Sequence, residues 1–287
     1  MPKSVVEVVE HFGSKADSRL HRPIVVIDVG CRWGFADRFL HRINDLQLYG
    51  FDPDKPECER LDAEYSHENI HLIPHALAEK SGRYDFYETL EPACSSMFRP
   101  NKHLTDNYPS LKCAELLKKS VLDAVSLDVW AKEASVGYAD YLKLDTQGSE
   151  LDILRGAIRL LKTVRVIELE VQFNPMYDGA ASYSDIDQFL RERGFVLWNF
   201  STLVHYGPKQ SERLDAGNLR IAYDEHDENI AQRGGQLFWG DACYVYKDML
   251  DSENSARTTQ QKNRDIKLME ILNMPDLLAA IQDSPPD

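Results

Sequence analysis

The sequence lacks several features that would each decide its class. It has no run of about 18 apolar residues, so no membrane-spanning helix is expected. Residues 1–15 also lack a secretory apolar segment, because Glu7 and Glu10 interrupt the valines. The five cysteines of the 287-residue chain include no Cys-x-x-Cys pair, which argues against a disulfide framework and a structural zinc site. We therefore expect a soluble, cytoplasmic protein with reduced thiols.

Basic residues are comparatively few. The chain has 33 lysines and arginines against 47 aspartates and glutamates, a formal net charge of −14. Such a chain repels phosphate backbones and anionic membrane surfaces, so we expect neither a nucleic-acid partner nor membrane insertion. The length favours one α/β domain with appendages. We predict an N-terminal helical extension at 1–23, a main domain at 24–248, and a polar C-terminal linker with a helix at 249–287.

Strand-like and helix-like segments alternate from about residue 24 to residue 200, which is typical of β-α-β units and a mainly parallel sheet. Strands are predicted at 24–29, 46–51, 70–73, 83–88, 121–126, 141–144, 164–171, 195–200 and, as an antiparallel member, 236–246. Helices are predicted at 35–43, 54–65, 127–135, 149–162, 184–194 and 266–281. Capping patterns begin at Ser149, with Asp152, and at Ser184, with Asp187. Residues 91–101 have no assignment, and residues 209–235 are predicted to form a loop or small insertion.

Three predicted strands end in an aspartate. In an open parallel sheet, ligands bind at the carboxyl ends of the strands, which is where these aspartates lie. The stretch DVGCRWGF places Asp28 before Gly30 and Gly34, and glycines permit a tight turn and close backbone approach. Asp52, about 20 residues further on, suits a ribose diol, because a carboxylate accepts hydrogen bonds from both hydroxyls. Asp145 ends the third strand. The combination predicts a site for a nucleoside-containing cofactor.

The glycine spacing narrows the choice of cofactor. A dinucleotide site uses G-x-G-x-x-G, and Arg32 occupies the position of its middle glycine, so a pyrophosphate should fit poorly. A cofactor with a sulfonium and an amino-acid end does not need that glycine, and an acidic neighbourhood suits its charge. Two alternatives stay open, an NAD-linked oxidoreductase and a non-catalytic binding or scaffolding protein.

Four segments resemble the FkbM-type S-adenosylmethionine-dependent methyltransferases. They are IDVGCRWGF, LYGFDPDKPECERL, ALAEKSGRYDFYE and, most specifically, YLKLDTQGSELDILRGA from Tyr141 to Ala157. The last resembles the family's Lys-x-Asp-x-x-Gly-x-Glu-x-x-x-Leu-x-Gly-Ala signature nearly position for position. The resemblance covers residues 24–200, with a weaker echo at 236–246. It implies the seven-stranded class I methyltransferase (Rossmann-like) sheet, mostly parallel with an antiparallel last strand, and methylation of a hydroxyl oxygen on a glycan or natural product.

The motif and the resemblance together give a set of candidate cofactor contacts. They are Asp28, Gly30, Arg32, Gly34, Asp52, Ser95 and Asp145. The family commonly carries Asn at the position of Arg32, so the difference affects the contact to the amino-acid end of the cofactor. Trp33 could stack on the cofactor or pack against the first helix, and packing is favoured. Glu150 is expected to orient its loop or cap its helix.

Methylation of an alcohol also requires removal of a proton, by a general base or with the help of a metal ion. Asp145 is the first candidate, because it ends a strand at the switch point of the sheet, and Glu170 and His103 follow. No metal site is predicted outright. Convergence of Asp145, Glu170 and Asn174 would, however, suit a magnesium ion.

Overall fold

The computed structural model describes residues 22–207, 235–250 and 257–282. The predicted N-terminal extension, up to residue 21, and the predicted loop at 209–234 lie outside the described residues. The strands are β1 Ile24–Val29, β2 Leu46–Phe51, β3 Ile70–Ile73, β4 Ala76–Leu77, β5 Gly82–Thr89, β6 Arg99–Pro100, β7 Leu116–Val125, β8 Tyr141–Leu144, β9 Val166–Gln172, β10 Tyr177–Asp178, β11 Phe195–Tyr206 and β12 Gln236–Tyr246. The α-helices are α1 Asp37–Leu40, α2 Lys55–Tyr65, α3 Lys102–Asn107, α4 Leu127–Glu133, α5 Glu150–Arg155, α6 Tyr183–Arg191, α7 Thr259–Leu272 and α8 Pro275–Gln282.

The central sheet has seven strands in the order β11-β12-β9-β8-β1-β2-β3. The pairs formed by β1, β2, β3, β8 and β9 are parallel, whereas β12 runs antiparallel to both of its neighbours. The chain builds outward from β1 to β3 and then returns to place β8 on the other side of β1. The switch point of the sheet therefore lies between β1 and β8. This is the sheet implied by the resemblance, and the predicted fold class is confirmed.

Apolar clusters on both faces hold the helices to this sheet. In β1, Val25 and Ile27 pack into one cluster with α4, α5 and α6, while Ile24 and Val26 pack into the other with α1, α2, α7 and α8. Alternate side chains of a strand point to opposite faces, so a strand covered on both sides is apolar throughout. That is why the run IVVI was a reliable indication of a central strand.

The C-terminal segment forms two helices where one was predicted. Asn273 has a left-handed φ of 55° after α7, and Pro275 begins α8. Asparagine is favoured in such a C-terminal position, and proline fits the first turn of a helix. Leu268, Met269 and Ile281 belong to the same buried cluster as β1 and β2, so this segment is part of the core.

Both predicted capping patterns are wrong. The helix α6 is capped by Ser182 with Asp185, because Asp187 instead accepts hydrogen bonds from Tyr244 and Arg191. No side-chain hydrogen bond caps α5 at Ser149.

Two strands are also longer than predicted, β7 at its start and β11 at its end, and β4, β7 and β5 form a separate three-stranded sheet. Among the described helices, none has the length and apolar character needed to cross a membrane.

Candidate active site

A cavity of about 670 Å³ lies at the carboxyl ends of β1, β2, β8 and β9. Three walls form it. Strand ends supply Val29, Gly30, Asp52, Asp145 and Glu170; the segment between β5 and β7 supplies Cys94, Ser95, Ser96, Met97, Leu111 and Cys113; and the third wall has Tyr177, Tyr206 and Trp239. The switch point of the central sheet therefore lies at a cavity large enough for a small-molecule ligand.

The turn after β1 depends on two glycines with positive φ. A Cβ on Gly30, at φ +88°, would lie 1.9 Å from the backbone oxygen of Asp145. A Cβ on Gly34, at φ +84°, would lie 2.0 Å from the hydroxyl of Tyr65, which accepts a hydrogen bond from the backbone N–H of Phe35 at 2.9 Å. Gly30 lines the cavity and Gly34 does not. Gly34 thus shapes the turn from behind, while Gly30 brings the ends of β1 and β8 together.

Asp52 lies at the end of β2, and its carboxylate lines the cavity although the residue is only 6% exposed. Its Oδ1 accepts a hydrogen bond from the backbone N–H of Asp54 at 2.8 Å. Burial raises the pKa of Asp52, and this hydrogen bond and the charge of Arg32 oppose the increase. Arg32 also lines the cavity and forms an ion pair with Asp54 at 2.9 Å. Trp33 is 77% exposed at the same wall, so the prediction that it packs against the first helix is wrong.

Asp28 is buried and does not line the cavity. Its Oδ1 accepts a hydrogen bond from the ammonium of Lys143 at 3.3 Å, and the same ammonium lies 3.5 Å from Oδ2 of Asp145. Burial alone would lower the pKa of Lys143, but the carboxylates of Asp28 and Asp145 outweigh it and raise that pKa above its ordinary value. Asp28 therefore holds Lys143 in place, and Lys143 holds Asp145.

Gln147 joins the two acidic strand ends. Its Nε2 donates to Oδ1 of Asp145 at 3.2 Å and lies 3.4 Å from Oε2 of Glu170. Its backbone is left-handed, with φ 59°, which is uncommon outside glycine. The hydroxyl of Tyr177 lies 2.9 Å from Oε1 of Gln147 and 2.8 Å from the carbonyl oxygen of Cys94, and its hydrogen can go to either acceptor. A single amide thus sets the relative position of two carboxyl groups that line the cavity.

Glu170 has the most perturbed environment of these acids. It is 7% exposed, and its Oε1 is buried without a hydrogen-bond partner in the described part of the chain. Burial raises the pKa of Glu170 well above its usual range, and the charges of Asp145, Glu150 and Asp241 raise it further. A carboxyl group with such a pKa holds a proton at a pH where ordinary glutamates are ionised. It can therefore exchange a proton closer to neutral pH, as a general acid or base requires.

Glu150 organises the loop between β8 and α5. Its Oε1 accepts from the backbone N–H of Thr146 at 2.8 Å, from the Thr146 hydroxyl at 3.0 Å and from the backbone N–H of Gly148 at 3.2 Å. The prediction that Glu150 orients this loop is confirmed. Gly148 has φ +107°, so the loop can turn there without strain.

Two candidates from the sequence do not reach the cavity. His103 is an exposed residue of α3 and is not among the lining residues, so we drop it as a candidate base. The amide of Asn174 donates to the backbone oxygen of Leu237 and accepts from Gln236, and Asn174 does not line the cavity. The convergence that would suit magnesium is therefore absent. Over 22–207, 235–250 and 257–282, no group of three or more His, Cys, Asp or Glu residues is arranged to hold a metal.

Several site residues escaped sequence reasoning. Lys143 and Gln147 lie inside the YLKLDTQGSE stretch, so that motif could have drawn attention to them. Ser96 donates from its hydroxyl to the backbone oxygen of Gln147 at 2.6 Å. Ser95 lines the cavity as predicted but also accepts from the backbone N–H of Thr89 at 3.2 Å. No local pattern indicated Tyr177, because its place depends on contacts across the sheet.

The family model described as the methyltransferase FkbM domain matches residues 15–197. The chain belongs to the FkbM methyltransferase family. The match includes the FkbM strand ends with Gly30, Asp52 and Asp145, and it ends before Tyr206 and Trp239 on the facing wall. Tyr206 and Trp239 therefore lie in the part of this FkbM protein that the family model does not describe, whereas Tyr177 of the same wall lies inside the match.

Known proteins similar to this FkbM chain include the 2-O-methyltransferase NoeI of Sinorhizobium fredii, which is 27% identical over 164 residues. That alignment covers 54% of this chain and 66% of NoeI, slightly less than two thirds of the relative. Among solved structures, a SAM-dependent methyltransferase from Anabaena variabilis has 14% identity and a TM-score of 0.37, covering 84% of this chain and 83% of that one. The magnesium protoporphyrin IX methyltransferase of Synechocystis, with bound SAM, has 11% identity and a TM-score of 0.36, covering 84% and 76%.

Proposed function

We propose that this protein transfers a methyl group from S-adenosylmethionine to a hydroxyl oxygen of a glycan or natural-product acceptor. One observation carries the proposal. In a single cavity, the wall of strand ends brings Gly30 and Asp52 together with the joined carboxyl groups of Asp145 and Glu170. Membership in the FkbM family supports methyl transfer, and the similarity to NoeI supports an oxygen acceptor.

The residues of the first wall fit the cofactor. The carboxylate of Asp52 provides acceptors for both hydroxyls of a ribose. Arg32 brings positive charge to this wall, which suits the carboxylate of an amino-acid end. Asp145, with a side chain 41% exposed, brings negative charge that suits a sulfonium. When bound, S-adenosylmethionine supplies the electrophilic methyl group.

Glu170 and Gln147 fit the removal of the hydroxyl proton. Methyl transfer to oxygen is an in-line displacement, so the protein has to align the reacting groups and exclude water. We assign the general base to Glu170, because it lines the cavity and its pKa is raised well above the usual glutamate range. Gln147 positions that carboxyl group against Asp145. This assignment moves the base from Asp145, the first candidate of the sequence, to the neighbouring strand.

The first experiment is calorimetric titration of the full chain with S-adenosylhomocysteine and, separately, with NAD. We expect micromolar binding of S-adenosylhomocysteine and none of NAD. Asp52→Ala should weaken the binding by about 2–3 kcal/mol, the loss of two charge-assisted hydrogen bonds from a desolvated site. Asp123→Ala, which removes an exposed acid on β7, is the control and should leave the affinity unchanged. Equal affinity of folded Asp52→Ala and wild type would contradict the assignment of Asp52.

The second experiment tests turnover, with isotopically labelled S-adenosylmethionine and a panel of hydroxylated glycans and natural products. Label should appear on at least one acceptor as a base-stable ether, because an O-methyl ether resists the alkali that cleaves a methyl ester. Binding of S-adenosylhomocysteine without transfer to any acceptor would favour the non-catalytic alternative. Binding of NAD alone would favour the oxidoreductase.

A further inference from the structure

Two cysteines that are separate in the sequence lie on neighbouring turns in the structure. Cys94 ends a short 3₁₀ turn, Pro92–Cys94, and Cys113 lies in a second one, Pro109–Ala114. The backbone N–H of Glu91 donates to the carbonyl oxygen of Cys113 at 2.9 Å, and the N–H of Cys94 donates to the carbonyl oxygen of Glu91 at 2.9 Å. The thiol of Cys113 donates to the backbone oxygen of Ser110 at 3.5 Å. Backbone contacts therefore hold the two turns together, and each thiol affects the pKa of the other.

The pair also differs from the other thiols in access. Cys94 and Cys113 are half-buried, and both line the cavity. Cys31, Cys58 and Cys243 are buried. A small solute that enters the cavity can reach the pair, whereas the other three thiols lie in the protein interior.

The two thiols have unequal pKa values. The neighbouring Cys94 lowers the pKa of Cys113 to about 7, and burial opposes that change. The neighbouring Cys113, together with burial, raises the pKa of Cys94. Because the thiolate is the reactive form of cysteine, Cys113 is the member that attacks an oxidant.

We propose that Cys94 and Cys113 are a peroxide-sensitive dithiol site that closes reversibly into a disulfide at the cavity wall. The Cys113 thiolate attacks one oxygen of hydrogen peroxide; an S–O bond forms, the O–O bond breaks, and the departing hydroxide takes a proton to become water. The sulfur of Cys94 then attacks the resulting sulfenic acid, losing its proton. An S–S bond forms, the S–O bond breaks, and the hydroxyl leaves as a second water. Two thiols are oxidised and one peroxide is reduced.

The disulfide would bear on the two carboxyl groups of the site. The carbonyl oxygen of Cys94 lies 2.8 Å from the Tyr177 hydroxyl, which also contacts Gln147. The hydroxyl of Ser96, two residues after Cys94, donates to the backbone oxygen of Gln147. A bond that draws Cys94 toward Cys113 therefore shifts the residues that hold Gln147. We infer that oxidation slows methyl transfer, an inference that rests on the proposed function.

The test uses the purified full chain, first reduced and then treated with a slight excess of hydrogen peroxide. Thiols are titrated after denaturation, and peptides are mapped by mass spectrometry. We expect the loss of two thiols per chain, a Cys94–Cys113 cross-linked peptide, and full recovery with dithiothreitol. Cys94→Ser should leave a sulfenic acid on Cys113 that dimedone captures, and Cys113→Ser should leave Cys94 unoxidised. Cys58→Ser is the matched control and should oxidise like the wild type.

Two outcomes would overturn the site itself: oxidation of other cysteines at an equal rate, or thiol loss without an intrachain cross-link. These measurements do not depend on activity, so their result stands whether or not the proposed function is correct. Once an acceptor is known, methyl transfer should fall on oxidation and return on reduction. Unchanged turnover of the cross-linked protein would overturn its control of the site.

Discussion

The two ends of the central sheet carry buried charges in opposite arrangements. At the amino ends, Asp140 is paired with Arg264, and Asp265 is paired with Arg165. At the carboxyl ends, Asp28 and Asp145 share one cation, Lys143, and no ion pair of Glu170 occurs in the described residues. Paired and hydrogen-bonded buried charges can be tolerated in a fold. Acids that are short of cations keep their affinity for a proton or a cationic ligand, which is what a site for a sulfonium cofactor and a proton transfer requires.

The same contrast predicts that substitutions at the amino ends of the sheet mainly change stability and that substitutions at its carboxyl ends mainly change activity. Removing a guanidinium at the amino ends leaves a carboxylate in the core without the cation that pairs with it most closely, so stability should fall. Neutralising an acid at the carboxyl ends removes a charge that the fold already accommodates poorly, so stability should hold or rise while function falls. Opposite effects on stability and activity would therefore separate the two ends.

The largest effect is expected for Arg264→Met. Arg264 is 2% exposed; its guanidinium holds both oxygens of Asp140 and donates to the backbone oxygens of Arg22 at 2.8 Å and Pro23 at 3.1 Å. Breaking a buried pair by removing one partner lowers stability by about 3–5 kcal/mol. Denaturant unfolding followed by circular dichroism measures the change. Arg60→Met is the control, since that arginine pairs with Glu57 and Glu64 on the surface and should contribute less than about 1 kcal/mol.

A free energy of unfolding for Arg264→Met within about 1 kcal/mol of the wild type would contradict the contrast, because it would place this buried pair among the ordinary surface pairs.

Glu170→Gln should reduce turnover by about a hundredfold, the lower part of the range for losing a general base. The wild-type rate should rise with pH as the carboxyl group of Glu170 loses its proton, and the variant should lack that rise. The measurement is methyl transfer as a function of pH at saturating S-adenosylmethionine. A variant with the same pH profile as the wild type would assign the base elsewhere, with Asp145 next in line.

The stability of Glu170→Gln gives the second half of that comparison. The pKa of Glu170 is raised in the folded protein, so the folded state binds the proton more tightly than the unfolded chain. Stability from this group is complete below the ordinary glutamate range and is lost as pH rises toward the folded pKa. The variant cannot ionise, so it should be at least as stable as the wild type at pH 8. A clear loss of stability there would indicate a structural role for the carboxylate.

The sequence sufficed for the frame of the fold because strong local patterns coincide with it. The bounds of β1, β2, β3 and β8 match the predicted strands. β1 and β8 are buried at nearly every position, and β2 and β3 carry enough apolar residues to mark them as strands. It did not suffice for the C-terminal helices, where apolar spacing continues through Asn273 and only the backbone reversal separates α7 from α8. Asn273, two residues before Pro275, would have been the feature to weigh there.

The position of a site residue was predictable only where it depends on the end of a single strand. Asp52, which follows β2, lines the cavity as expected, but Asp28, the last but one residue of β1, faces Lys143 instead. The difference depends on the register in which β1 pairs with β8, placing Asp28 beside Lys143. The adjacency of Cys94 and Cys113 depends in the same way on distant contacts. Strand register and contacts between distant segments leave no local pattern in the sequence from which they could be predicted.

The smallest effect is expected for Gln147→Asn, which tests whether the acids at the carboxyl ends need to be held together. Asparagine tolerates the left-handed backbone that Gln147 adopts, but its shorter amide cannot span the same two carboxyl groups. The loss of one hydrogen bond between buried polar groups is about 1.4 kcal/mol, or tenfold in turnover. Affinity for S-adenosylhomocysteine should stay close to that of the wild type, because Asp52 and Gly30 are untouched. The pH at which the rate rises should also shift, since Gln147 donates to the ionised form of Glu170 and its loss makes that form harder to reach. A tenfold loss with no shift in the pH profile would mean that Gln147 acts on the acceptor rather than through Glu170, and the comparison between the two ends would then rest on charge alone.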